Sequence, residues 1–174
     1  MKTKDITYIA VSAALITICS WISIPLTVPV TLQTFGVFLV MGIVGGKRGF
    51  LAVFTYVLVG MAGVPVFSGF KGGAAVLFGS TGGYIFGFLL AAAIVWLFTH
   101  FFGDSLVVLA VSMAAGLAVC YITGSLWFMF IVLKTAEPMG FIAALSKTVL
   151  PFIIPDVIKI FIALRLTKVL KNRI

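Results

Sequence analysis

Apolar runs about as long as a membrane is thick follow one another along nearly the whole chain, and most charges fall in the gaps between them. Only 9% of the residues are charged, 63% are hydrophobic, and the mean hydropathy is +1.31. No soluble domain has this balance. A helix needs about 20 residues to cross the hydrocarbon core, so six spans would use about 120 residues. Of 174 residues, little is then left for a soluble domain. The chain therefore reads as an all-α integral membrane protein with six transmembrane helices, one domain over residues 1–174. Its start, Met-Lys-Thr-Lys followed by an apolar stretch, has the outline of a signal peptide. That stretch is long enough to span and carries no evident small-x-small cleavage site, so it reads as the first helix.

The punctuation sets the segments. A first helix is expected over about Ile6 to Ile24, after which Pro25 and Pro29 break the backbone in an inserted first loop. A second, over about Leu32 to Val44, is short for a full crossing and should enter partway, below that loop. A third, over about Gly49 to Val64, stops before Pro65. A long glycine-rich connection, Phe67 to Tyr84, leads to a fourth helix over about Thr81 to Phe101. The fifth covers about Leu106 to Leu133 and the sixth about Lys147 to Leu170. Lys2, Lys4, Lys47, Arg48, Arg165, Lys168, Lys171 and Arg173 share one side if there are six spans, and an excess of Lys and Arg marks the cytoplasmic side. Both termini are then cytoplasmic. The first loop, the glycine-rich loop and the Lys134 to Lys147 connection face outside.

Several chemistries are disfavoured. Cys19 and Cys120 fall inside helices and read as small apolar residues, not as a disulfide or metal site. His100 stands alone, and no cluster of His, Cys and acids could hold a metal. The net charge of +8 lies at segment ends, a topology signal rather than a nucleic-acid surface. Gly42-Ile-Val-Gly-Gly-Lys-Arg48 has the wrong spacing for a phosphate loop and no hydroxyl for magnesium. If ATP drives the work, a partner binds it. A Ser80–His100 protease pair would lie about 30 Å apart along one helix, too far to share a proton. The chain does not read as an enzyme, and no cofactor is expected.

Small residues recur every fourth position: Gly79, Gly83 and Gly87, then Ser112, Gly116, Cys120 and Gly124, and Ala10 with Ala14 in the first helix. Such stripes let helices approach closely in lipid.

Against this background Asp156 and Lys159 stand out, an acid and a base three residues apart in the last apolar segment. A charge in hydrocarbon costs about 3 kcal/mol or more, and residues at i and i+3 share a helix face, where the two can partly neutralise each other. Such a pair is either a functional site or a structural ion pair. Pro151 and Pro155 each remove a backbone donor, leaving the carbonyls of Lys147 and Pro151 without helical partners, and unwound backbone is tolerated at membrane depth where it lines a cavity. Gly69, Gly72, Gly73, Gly79, Gly82 and Gly83 would let backbone pass close to a ligand and to neighbouring helices. Phe67, Phe70, Phe78, Tyr84 and Trp127 could supply apolar walls, with Asp156, Lys159, Lys71 and Gln33 as directional polar groups. That is the make-up of a small-molecule pocket.

Val28-Pro-Val-Thr-Leu-Gln33, the run Phe67 to Gly73, the block Gly79-Ser-Thr-Gly-Gly-Tyr-Ile-Phe-Gly-Phe88 and Pro151 to Lys159 together resemble the BioY family, in the same order over nearly the whole chain. The family comprises the substrate-binding (S) components of bacterial energy-coupling-factor transporters for biotin. The resemblance implies a six-helix S component in the bacterial cell membrane, with a substrate pocket near the outer face. It also implies a transmembrane coupling protein and two ABC-type ATPases as partners. On the same resemblance Asp156 and Lys159 bind the vitamin, and Ala10 and Ala14 form the docking face for the coupling protein. One departure is Ser80, where the family often has proline in Gly-Pro-Thr-Gly-Gly. Lys71 stands where a smaller residue is expected, and whether it meets the biotin carboxylate is left open by the sequence.

Biotin suits these residues on chemical grounds. Its urea offers N–H donors and a carbonyl acceptor, its ring is an apolar thioether, and its tail is anionic. A carboxylate can accept from the urea N–H groups, while an ammonium can bind the urea carbonyl or the tail. The alternatives to a biotin-capturing subunit are an S component for another small vitamin, a self-contained transporter coupled to protons through Asp156, and a structural membrane subunit.

Overall fold

The computed structural model describes residues 2–26, 28–135 and 148–171. Helix α1 runs over Thr3–Trp21, and a small hairpin of β1 (Ser23–Ile24) and β2 (Val30–Thr31) follows. Then come α2 (Gln33–Val44), α3 (Gly46–Met61), the single turn α4 (Ala74–Leu77), α5 (Gly82–Phe102), α6 (Leu106–Thr135) and α7 (Leu150–Lys171). The six long segments fall within three residues of the bounds expected from sequence. Helix α5 and residues Leu106–Ile131 of α6 are each long and apolar enough to cross a membrane. The expected outer connection between residues 134 and 147 lies, for 136–147, outside the described residues.

The arrangement turns on α2. It is apolar on every side, and a helix with no polar face must be surrounded by protein. It is surrounded: α1, α3, α5 and α7 all pack on it, and Val37 and Met41 are wholly buried. Near its far end Gly42 admits α7, for a Cβ there would lie 2.2 Å from Thr167 Oγ1. Twelve residues rise only about 18 Å, well short of the roughly 30 Å hydrocarbon thickness. The bundle thus has a central helix over part of its height and none above Gln33.

Helices α5 and α6 close on each other through their small residues. A Cβ on Gly87 would meet Thr123 Oγ1 at 2.7 Å, and one on Gly116 would meet Ala91 at 3.1 Å. Ser112 and Cys120 are buried in the same seam. The outward faces are aliphatic and aromatic, with Val107, Val111, Ile154, Val157 and Phe161 all exposed. Such a surface suits lipid rather than water. Ala10 and Ala14 are exposed on α1.

Ion pairs gather at one end of the molecule. Arg48 contacts Asp5 at 2.7 Å, and Lys171 pairs with Asp104. The hydrogen bond from Lys171 holds the Asp104 carboxyl below its ordinary range. At the opposite end lie the β1–β2 hairpin and the glycine-rich segment, tied to α1. The Trp21 indole donates to the carbonyl of Pro65 at 2.9 Å, and the Ser20 hydroxyl donates to that of Val66.

Two local features go beyond the sequence reading. The first loop, after the break at Pro25 and Pro29, closes as a hairpin in which Ser23 pairs with Thr31 and Ile24 with Val30 in antiparallel register. The backbone is not unwound at the last two prolines. Helix α7 runs continuously through Pro155. Pro151 sits in its first turn, where a missing N–H leaves no helical bond unmade. Only the one bond that Pro155 would have donated is lost inside the helix.

Candidate functional site

A cavity of about 350 Å³ occupies the space above α2. Gln33 and Thr34, at the N-terminus of α2, line its inner end. Ser23, Leu26 and Thr31 of the hairpin region and Phe67, Gly69 and Lys71 of the glycine-rich segment also line it, and α5, α6 and α7 complete the wall. The volume falls in the range of small-molecule sites.

The polar core of the cavity is assembled from three separate stretches of chain. Asp156 is only 2% exposed and Lys159 7%. The Lys159 Nζ donates to Asp156 Oδ1 at 2.7 Å and to the Thr31 carbonyl at 2.7 Å. The Tyr121 hydroxyl, from α6, donates to Asp156 Oδ2 at 2.7 Å. A carboxylate can accept about four hydrogen bonds and an ammonium can donate three. Each carboxylate oxygen therefore keeps one acceptor site, and Lys159 keeps one proton beyond these bonds. The site can receive N–H donors at Asp156 and give one hydrogen bond to an acceptor from Lys159. A ligand carrying donors beside a carbonyl matches that pattern.

The remaining walls are apolar or half-polar. Val76, Ile85, Phe88, Leu117 and Phe152 contribute hydrocarbon. Val28, from the loop, is 5% exposed and packs with Phe128 and Phe152. It fastens that loop onto α6 and α7.

The residues expected from sequence divide into two groups. Asp156, Lys159, Lys71, Gln33, Tyr84 and Phe67 all line the cavity. Gln33 is also held from below, since its Nε2 donates to the Tyr56 hydroxyl at 3.0 Å, which in turn donates to the Val66 carbonyl at 3.2 Å. The Tyr84 hydroxyl donates to the Thr148 carbonyl at 3.0 Å, which fixes its ring beside the cavity. Gly73, Gly82 and Gly83 do not line it. Their backbones approach protein instead. The Gly73 N–H donates to the Gly60 carbonyl at 2.7 Å, and a Cβ on Gly82 would fall 1.6 Å from the Leu77 carbonyl oxygen. A Cβ on Gly83 would fall 2.2 Å from Trp127 Cβ. Trp127 itself donates to the Gly79 carbonyl at 2.9 Å, while Phe70 stacks on Trp21 and Phe78 is exposed. None of these three rings forms the wall. Tyr121 and the Thr31 carbonyl were not singled out by sequence. A buried tyrosine hydroxyl needs a partner, which was the available signal, but nothing in the sequence says that the partner lies 35 residues away.

Fold and site together define a helical membrane protein with a cavity that joins a buried ion pair to apolar walls. Comparison with known proteins narrows this class. The BioY family model matches residues 1–174. A biotin transporter BioY from Thermotoga maritima is 46% identical over 162 residues, 89% of this chain and 90% of that protein. A probable biotin transporter BioY from Pyrococcus horikoshii is 39% identical over 160 residues, 91% of each. The crystal structure of the S-component for biotin from an ECF-type ABC transporter superposes with a TM-score of 0.87 at 25% identity, covering 99% of this chain and 95% of that one. The chain belongs to the BioY family.

Proposed function

We propose that this chain is a biotin-capturing S component. It binds the vitamin in the cavity above α2 and passes it inward with an energy-coupling-factor module, a transmembrane coupling protein and two ABC-type ATPases. The observation that carries the reading is the buried Asp156–Lys159 pair with Tyr121 on its second oxygen, facing a cavity. The urea head of biotin supplies donors for Asp156 and an acceptor for Lys159, and the apolar walls suit its thioether ring. The names of the similar proteins point the same way.

On this reading the six long helices cross the membrane as one unit over residues 1–174. The end with Asp5, Arg48, Asp104 and Lys171 is cytoplasmic, and the cavity opens outward. Ala10 and Ala14 are the docking face, because small, outward-facing side chains permit another helix to approach closely in lipid. Equilibrium binding of labelled biotin to the purified chain tests the capture step. Saturable one-site binding is expected, and no binding by folded protein would sink the proposal. Uptake into vesicles driven by a proton gradient without any ATPase would replace it with the self-contained transporter.

A further inference from the structure

We infer that Lys71 is the cation that receives the carboxylate of the ligand's tail, so the vitamin lies ring-inward with its acid at the cavity mouth. This rests on the biotin reading above and assigns the orientation within it. Charge singles out Lys71. Among the described residues, the ionisable side chains normally charged at neutral pH that line the cavity are Lys71, Asp156 and Lys159. Asp156 and Lys159 neutralise each other at 2.7 Å, which leaves one positive charge over. A monoanionic ligand whose tail approached the inner pair would bring its charge to a carboxylate already in place. Lys71 is free of that conflict, and among the described residues it has no acidic partner.

Depth separates the charged groups in the same way. Asp156 and Lys159 are buried, whereas Lys71 is exposed while still lining the cavity. The polar groups are thus split between an inner neutral pair and an outer lone cation. Biotin is split likewise, with a neutral urea at one end and an anion at the other.

The backbone around Lys71 is also fixed. Phe67 and Lys71 exchange backbone hydrogen bonds, Phe67 N–H to Lys71 carbonyl at 2.9 Å and Lys71 N–H to Phe67 carbonyl at 3.3 Å. The turn between them needs two consecutive left-handed residues, Gly69 at φ 72° and Phe70 at φ 57°. The second is costly for a bulky side chain and persists only where surroundings enforce it. Stacking of Phe70 on Trp21 at 4.9 Å supplies that enforcement. The turn is therefore fixed, and it carries Lys71 to the cavity rim.

The test compares biotin with biotin methyl ester, which keeps the ring and loses the charge. Wild-type protein should prefer biotin by about tenfold, the scale of one partly exposed charge-assisted hydrogen bond. That preference should shrink as salt is raised. Lys71→Met should bind the two ligands within about twofold of each other, with the ester bound as well as by wild type, and Lys71→Arg should restore the preference. Lys159→Met should weaken both ligands alike. Equal wild-type affinities for acid and ester would overturn the assignment. So would loss of the preference in Lys159→Met but not in Lys71→Met, which would send the tail inward. Equal weakening of both ligands by Lys71→Met would make Lys71 a structural part of the turn. Failure of either ligand to bind folded wild-type protein would overturn the biotin reading, and the orientation with it.

Discussion

The ammonium of Lys159 lies 2.7 Å from the carbonyl oxygen of Thr31, a residue 128 positions earlier in the chain. Thr31 belongs to the short strand β2, so the hairpin over the cavity is bonded to the same ammonium that Asp156 neutralises. The hairpin and the ion pair are one hydrogen-bonded unit. A change at either should be felt at the other.

Replacing Asp156 with Asn keeps the shape and removes the charge. Biotin affinity should fall by about 1.5–3 kcal/mol, the loss expected for a hydrogen bond to a charged group. Lys159 would be left buried without a counter-charge, so thermal stability should drop as well. Titration calorimetry and a melting curve on the same sample check both. Unchanged affinity in well-folded protein would reduce the pair to a packing feature.

Tyr121→Phe removes only the hydroxyl that holds Asp156 Oδ2. The ring keeps its packing. Binding should weaken by about 0.5–1.5 kcal/mol, less than in Asp156→Asn, because Lys159 still anchors the other oxygen. Side-by-side affinities of the two variants decide the order. An effect of Tyr121→Phe as large as that of Asp156→Asn would mean that the hydroxyl itself meets the ligand.

Ala10 and Ala14 face outward one turn apart, and a bulky residue at either should keep a partner helix away. Ala10→Trp and Ala14→Trp should leave biotin binding by the isolated chain intact and sharply reduce ATP-driven uptake by the complete complex. Normal uptake would place the docking face elsewhere. Loss of binding as well would mean that Ala10 and Ala14 serve the packing of the bundle rather than the docking of a partner.

Orientation can be checked with single cysteines in a background lacking Cys19 and Cys120. Cysteines at positions 47 and 71 should be modified by an impermeant reagent from opposite sides of the membrane, with 71 reached from outside intact cells. Labelling of both from outside would reject the assignment.

The long helices could be read from the sequence because their apolar runs and Pro, Gly and Lys/Arg boundaries are local signals. Asp156 and Lys159 stood out for the same reason, as charges in an apolar segment. Glycine signals closeness without saying to what. Gly82 and Gly83 read as letting backbone pass close to a ligand and to neighbouring helices, and their missing side chains make room for the Leu77 carbonyl and for Trp127. The sequence shows the donor lost at Pro155 but not that α7 continues through it. The Tyr121 contact and the two-residue strands depend on chain segments meeting in space, which no local pattern reports.

The shortness of α2 has a consequence for engineering. The inner end of the cavity is set by where a backbone ends, not by the bulk of any one side chain. One helical turn added ahead of Gln33 would raise the floor by about 5.4 Å, and one turn removed would lower it by as much. Cargo length should therefore respond in steps of a turn to insertions or deletions at that one junction, whereas single substitutions along the wall would trim only its width.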